Sequence, residues 1–263
     1  MPSPGPSSDL ARRLTRDVRI TVLTGAGVSA ASGVPTFRGA DGLWKSFKPE
    51  SLATPQAFAR DPRLVWQWYD WRRRKIAACE PNAAHRVLAS WSERFPNFTL
   101  ITQNVDGLHE AAAAKVTAGQ GHGDVIRLHG SIWEVQCWRG CAAAPRRWHD
   151  ATVPYAEIPP RCPHCGDLIR PGVVWFGESL DPDVVDQATA AADCDVFITI
   201  GTSAVVYPAA GFIDLARRHG AFTVEINPEA TPAMVDLALR GGAEIVLPEI
   251  DRMLDDLGSQ MSD

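Results

Sequence analysis

Lysine is scarce in this sequence: Lys45, Lys48, Lys75 and Lys115 are four of 26 basic side chains, set against 31 acidic ones. The formal charge of −5 leaves no basic surplus to hold a phosphate backbone, so nucleic acid is not expected as a partner. Long apolar runs are lacking too. None approaches the ~20 residues of a membrane span, so no membrane association is expected. The opening M-P-S-P-G-P-S-S-D-L has no apolar core of a secretory signal. Without such a signal a disulfide framework is not expected, and a cytoplasmic location is. No internal repeat is visible, which argues against a solenoid.

What is present is ordinary for a globular chain: 263 residues, 45% apolar and 22% charged. The Pro/Ser/Gly-rich residues 1–14 are expected to be a disordered tail, and 257–263 a second tail. Four of the six cysteines form two close pairs, Cys137 with Cys141 and Cys162 with Cys165, with twenty residues between the pairs. Two such pairs are a strong signal for tetrahedral Zn²⁺. Four thiolates leave no open position, so the metal would be structural.

Val18 to Thr24 reads as a β-branched strand that runs into G-A-G-V-S-A-A-S-G. A strand, a Gly-rich turn and small residues opening a helix form a dinucleotide-binding arrangement. Gly25 and Gly27 would let amides approach a pyrophosphate, and Gly33 would permit a turn or close packing. The spacing departs from G-x-G-x-x-G, and a tight-packing turn is the competing reading. Val34 to Trp44 is a loop with the character of a lid over a cofactor.

Thr99 to His109, T-L-I-T-Q-N-V-D-G-L-H, ends an apolar strand in Gln103, Asn104 and Asp106, with Gly107 as a turn. Ligands bind past the carboxyl ends of strands in open α/β sheets. Two amides and a carboxylate suit hydroxyls and carboxamides. An Asx-rich loop capping the next helix fits these residues equally well. V-I-R-L-H-G, Val125 to Gly130, reads as a strand ending in His129, a position suited to proton transfer.

Asp61-Pro62 starts a helix on which Leu64, Val65, Trp68, Trp71 and Ile76 form an apolar stripe. Tyr69 and Arg72 share one face of it. Another helix begins near Pro81, with His85 as a packing or surface residue. Strands are expected at Asp195–Ser203, Phe222–Asn227 and Gly241–Pro248. The whole reads as a doubly wound, Rossmann-like parallel sheet with a helical insertion at about 40–80 and a zinc module at about 130–172. The catalytic domain would span 15–256.

G-A-G-V-S-A-A-S-G-V-P-T-F-R-G, I-T-Q-N-V-D-G-L-H and L-H-G together resemble the sirtuins, NAD-dependent protein lysine deacylases, over about Arg19 to Pro248. The resemblance implies NAD as co-substrate and acylated lysine in proteins as partner. The products would be nicotinamide, free lysine and 2′-O-acyl-ADP-ribose, with His129 as the general base on the ribose hydroxyls. It places the pyrophosphate near Gly25, Ala26, Gly27 and Ser203. Gln103, Asn104 and Asp106 would face the nicotinamide ribose and carboxamide, Phe37 and Arg38 the lid, Asn227 and Glu229 the adenine ribose. Ser29, Gly33, Pro35, Thr36, Trp44, Val105, Gly201, Thr202 and Ala243 complete the implied cofactor set.

Tyr-x-x-Arg at Tyr69 and Arg72, Ala53 in S-L-A-T-P, and P-T-F-R where many sirtuins have P-D-F-R resemble the class III desuccinylase and demalonylase branch. Val174, Trp175, Phe176, Gly177 and Glu178 resemble the substrate segment, expected to be extended and able to pair with a peptide. One departure is C-x3-C where the family has C-x2-C. A mainly deacetylating enzyme and a protein ADP-ribosyltransferase are the alternatives, and a dehydrogenase or a non-catalytic NAD-binding regulator are the rivals outside the family. The oligomeric state is left open, with a monomer as the working expectation.

Overall fold

A computed structural model describes residues 5–36, 48–116 and 125–260. Strands β1 (Ile20–Thr24), β2 (Phe98–Thr102), β3 (Ile126–Arg127), β7 (Val196–Ile200), β8 (Phe222–Ile226) and β9 (Leu237–Leu239) form a parallel six-stranded sheet in the order β3-β2-β1-β7-β8-β9. Every residue of β1 and β7 is buried, as expected of strands covered on both faces. The order reverses between β1 and β7, and such a switch point opens a crevice at the strand ends.

Helices α1 (Pro6–Arg13), α5 (Ala83–Arg94) and α9 (Ala243–Gln260) pack on one face through Leu10, Leu88, Trp91, Leu247 and Ile250. Helices α7 (Pro182–Ala191) and α8 (Ala209–Arg218) cover the other through Ala188, Phe212 and Ile213. Helix α6 (Leu108–Val116) follows β2. No helix of the described residues is long and apolar enough to cross a membrane.

The two insertions share one core. Helices α2 (Pro49–Leu52), α3 (Pro55–Arg60) and α4 (Pro62–Ala77) face a second, antiparallel sheet of β4 (Gly130–Cys137), β5 (Trp148–His149) and β6 (Ile169–Val173). Trp66, Trp68 and Tyr69 bury themselves against Ile132, Val135, Ile169 and Trp175. The Asp61 carboxylate accepts the Leu64 amide at 2.9 Å and Pro62 opens the first turn, which starts α4 where expected.

Several expectations are corrected. Residues 1–14 are not all tail: Pro6 opens α1, and Leu10, Ala11 and Leu14 bury an apolar stripe against the α9 side of the sheet. Gly241–Pro248 is not a strand; from Ala243 on it is the start of α9, and the last strand is β9. That helix runs through Gln260, past the expected boundary at 256. Leu64 is exposed and leaves the apolar stripe. Strand β3 stops at Arg127, so His129 sits in the turn before β4.

Candidate active site

The strand ends are flush. Thr24 pairs with Thr102 on one side and Ile200 on the other, and Ile200 with Ile226. Past this row lies one cavity of about 720 Å³. The expected residues Gly25, Ala26, Gly27, Thr36, Ala53, Tyr69, Arg72, Gln103, Asn104 and Val105 line it. So do His129, Val174, Trp175, Phe176, Gly201, Thr202, Ser203, Asn227, Glu229 and Ala243. Ser29, Gly33, Pro35, Asp106, Gly177 and Glu178 are not among its lining residues. Phe37, Arg38 and Trp44 lie outside the described residues.

The Gly-rich turn works differently from the expectation. The Gly25 and Gly27 amides donate to the Ile200 and Gly201 carbonyls at 2.9 and 2.8 Å, and Val28 donates back to Gly25. A Cβ on Gly25 would lie 2.8 Å from the Gly201 oxygen, and one on Gly27 2.7 Å from the Gly201 Cα. Glycine is therefore needed here for two backbones to touch, and within Gly25–Val28 the amide left for an anion is that of Ala26. The turn continues as a short 3₁₀ helix, Ala26–Ser32.

The three polar residues after β2 divide. The Asn104 side-chain amide donates to Ser29 Oγ at 3.2 Å, and Ser29 donates to Asp106 Oδ2 at 2.8 Å. His85 Nε2 lies 3.3 Å from the same hydroxyl, and its Nδ1 accepts the Asn82 amide. Ser29, His85 and Asp106 are buried behind the wall, and Asp106 also caps α6 by accepting the Leu108 amide at 2.9 Å. They orient Asn104 and do not line the cavity themselves. Burial pushes the Asp106 carboxyl up, opposed by the Leu108 amide, Ser29 and Arg72. Gln103 braces the floor: its amide donates to Thr202 Oγ1 at 3.0 Å, and Asn227 donates to the Thr202 carbonyl at 3.2 Å.

His129 Nδ1 lies 2.9 Å from the Gln103 carbonyl. A carbonyl only accepts, so Nδ1 carries the proton and Nε2 is a bare lone pair. Burial holds the imidazole below its ordinary range, partly offset by the Gln103 bond. The ring is neutral and able to take a proton.

At the other end Trp175 Nε1 donates to the Tyr69 hydroxyl at 2.9 Å, and the Arg72 guanidinium lies 4.9 Å over Trp68. Burial pushes Tyr69 up and Arg72 down from their ordinary values. The segment after β6 is less open than expected. The Val174 and Phe176 amides donate to the His129 and Ala53 carbonyls, Trp175 to Glu178 Oε2, and Glu178 to the Trp175 carbonyl. Those four amides are committed inside the protein. Glu178 faces Arg170 at 2.9 Å, which removes it from the cavity. Val206, Tyr207 and Thr231 line the cavity and were not anticipated. Tyr207 is 74% exposed at the rim, and an aromatic just past G-T-S at a strand end was the available signal.

The four cysteines meet. Their sulfurs lie within 4.8 Å of one another, with Cys137–Cys165 and Cys141–Cys162 at 3.7 and 3.9 Å. A Zn–S bond of ~2.3 Å gives a tetrahedral edge of roughly 3.8 Å, so the set fits zinc. The C-x3-C knuckle closes by the Gly140 amide donating to the Cys137 carbonyl at 3.1 Å, with Gly140 at φ +60° absorbing the extra residue.

Residues 25–208 match the Sir2 family model. An NAD-dependent protein deacylase of Aquifex aeolicus is 53% identical over 82% of this chain and 86% of its own length. One from Pseudomonas aeruginosa is 49% identical over 89% and 93%. Among solved structures, a Sir2 homolog–NAD complex superposes with a TM-score of 0.82 at 43% identity, covering 95% of this chain and 94% of that one. With the strand-end crevice, the buried Asn104 and the clustered cysteines already in place, these matches make the chain a member of the Sir2 family.

Proposed function

We propose that the protein is an NAD-dependent protein lysine deacylase that removes succinyl and malonyl groups, and acetyl groups as well, releasing nicotinamide and 2′-O-acyl-ADP-ribose. Its Sir2 relatives carry the deacylase name, and a Sir2 protein bound to a myristoylated histone peptide aligns at a TM-score of 0.74 and 31% identity over 97% of this chain. Those likenesses support acylated lysine in proteins as the substrate class. We place its action in the cytoplasm, as a monomer, with no nucleic-acid or membrane partner.

NAD, when bound, supplies a glycosidic bond whose cleavage releases nicotinamide. The chain's own groups suit it: Ala26 offers an amide, Asn104 an oriented carboxamide, and Asn227 and Glu229 polar atoms further along the cavity. Asn104 has its Nδ2 tied to Ser29, which turns its Oδ1 to the opposite side. His129 Nε2 takes the proton of a ribose hydroxyl, and its Nδ1–H stays on Gln103.

The observation that carries the acyl reading is that Tyr69 and Arg72 line the same cavity as Asn104 and His129. Arg72 is only 6% exposed. A succinyl or malonyl carboxylate taken into such a place needs a cation with fork geometry, and a phenol adds a donor. The test is kcat/KM on matched acetyl and succinyl peptides, with mass spectrometry of both products. Arg72→Met should cost the succinyl reaction ~10- to 100-fold, the worth of a charge-assisted hydrogen bond, and spare most deacetylation. Equal loss on both peptides would make Arg72 a support of the fold. ADP-ribose left on the protein would instead favour the transferase alternative.

A further inference from the structure

Asn104 is held by two separate amides. Its side chain is fixed by Ser29, as above. Its backbone N–H donates to Thr102 Oγ1 at 3.0 Å, Thr102 Oγ1 lies 2.8 Å from Thr24 Oγ1, and Thr24 Oγ1 lies 2.9 Å from His109 Nε2. We propose that His109 is a positioning residue for Asn104, acting through the paired hydroxyls of Thr24 and Thr102. The inference rests on the reading of Asn104 as a residue that faces the reacting ligand.

The geometry gives this relay a direction. His109 is 3% exposed, and its Nδ1 has no hydrogen-bond partner among the described residues. A stranded buried N–H is rarer and costlier than an under-used acceptor. The proton therefore sits on Nε2 and is donated to Thr24, which donates in turn to Thr102. The Thr102 oxygen then receives the Thr24 hydroxyl and the Asn104 amide together. Thr24 and Thr102 are register partners on β1 and β2, so the relay crosses the sheet at the row where the strands end. Burial and the His85 ring 4.8 Å away keep His109 neutral, so it remains a one-proton donor. An apolar side chain would fill this position without leaving an unpaired nitrogen. The cost of burying an imidazole there points to a use other than packing.

The experiment compares Thr24→Val, His109→Leu, His109→Gln and the double variant Thr24→Val/His109→Leu, with Asn104→Ala as reference. Thr24→Val keeps the side-chain shape and reports even if His109→Leu fails to fold. Thr24→Val and His109→Leu should each lower kcat ~10-fold, a small misplacement of a reacting group, with KM for the acyl-peptide unchanged. Thr24→Val should also lower Tm, because it strands the buried His109 N–H. The double variant should be no worse than either single one, because both cut the same chain. His109→Gln, which restores a donor near Nε2, should recover most of kcat. Wild-type kcat in Thr24→Val alongside an inactive Asn104→Ala overturns the inference and leaves the site reading intact. So does a Gln variant as slow as the Leu variant. Wild-type turnover in Asn104→Ala overturns the site reading and this inference with it.

Discussion

The Gln103 carbonyl decides the chemistry of His129, because it fixes which ring nitrogen is basic. His129→Ala should keep NAD binding, measured by calorimetry, and lose deacylation by roughly 10²- to 10⁴-fold, the worth of a general base. The wild-type rate should fall on the acid side only below the ordinary imidazole value of 6.5, since burial resists protonation there. An acid limb above 6.5 would assign the base elsewhere. At this scale the sequence was informative about residue type and silent about direction. Gln103, Asn104 and Asp106 read as one polar cluster, yet Asn104 lines the cavity, while Asp106 caps α6 and takes the Ser29 hydroxyl. Carboxylates that bind and carboxylates that cap look alike in one dimension. The glycines Gly25 and Gly27 carried two readings for the same reason: they line the cavity, as a nucleotide turn would, and what they pack against is Gly201, far along the chain.

Among the elements, the cysteine knuckles and the Tyr69 end of the cavity are joined by a run of aromatic rings packed at a tilt. Trp138 follows Cys137 directly, its ring lies 4.8 Å from Phe58, Phe58 lies 5.4 Å from Trp175, and Trp175 bonds the Tyr69 hydroxyl. Cys162→Ala should lower zinc content and thermal stability together, since structural metal binding is coupled to folding. Metal content below half an equivalent in well-folded wild-type protein would refute a structural zinc. The cysteine spacing and the start of α4 were legible because they are local: a ligand pattern, and an Asp-Pro cap. The shared core of the two insertions was not. It depends on contacts such as Trp66 Nε1 donating to the Ile169 carbonyl at 2.7 Å across 103 positions. The start of α9 was missed because Glu244 to Leu247 carries β-branched residues that suit a strand, and packing on Leu88 and Trp91 overrides that preference.

For the whole molecule, buried histidines set the response to acid. His85 is pushed down to about 4 and His109 well below 6.5, both by burial. The unfolded chain therefore binds protons that the folded one refuses, so stability is fully present above about 6.5 and is lost as pH falls towards 4. Asp106 and Glu110, raised by burial, run the other way over part of that range. Tm followed from pH 7.5 to 5, with zinc content recorded alongside, should fall. A flat or rising Tm would mean the carboxyl groups outweigh the histidines. The flush row at Thr24, Thr102, Ile200 and Ile226 carries one more consequence, for how the chain can change in length. Residues added or removed inside β1, β2, β7 or β8 would step that edge and turn the following side chains to the other face. Length can vary only outside the strands, and both insertions enter just past this edge, the helical one after β1 and the cysteine module after β3, so whatever they add becomes wall of the cavity while its floor stays fixed.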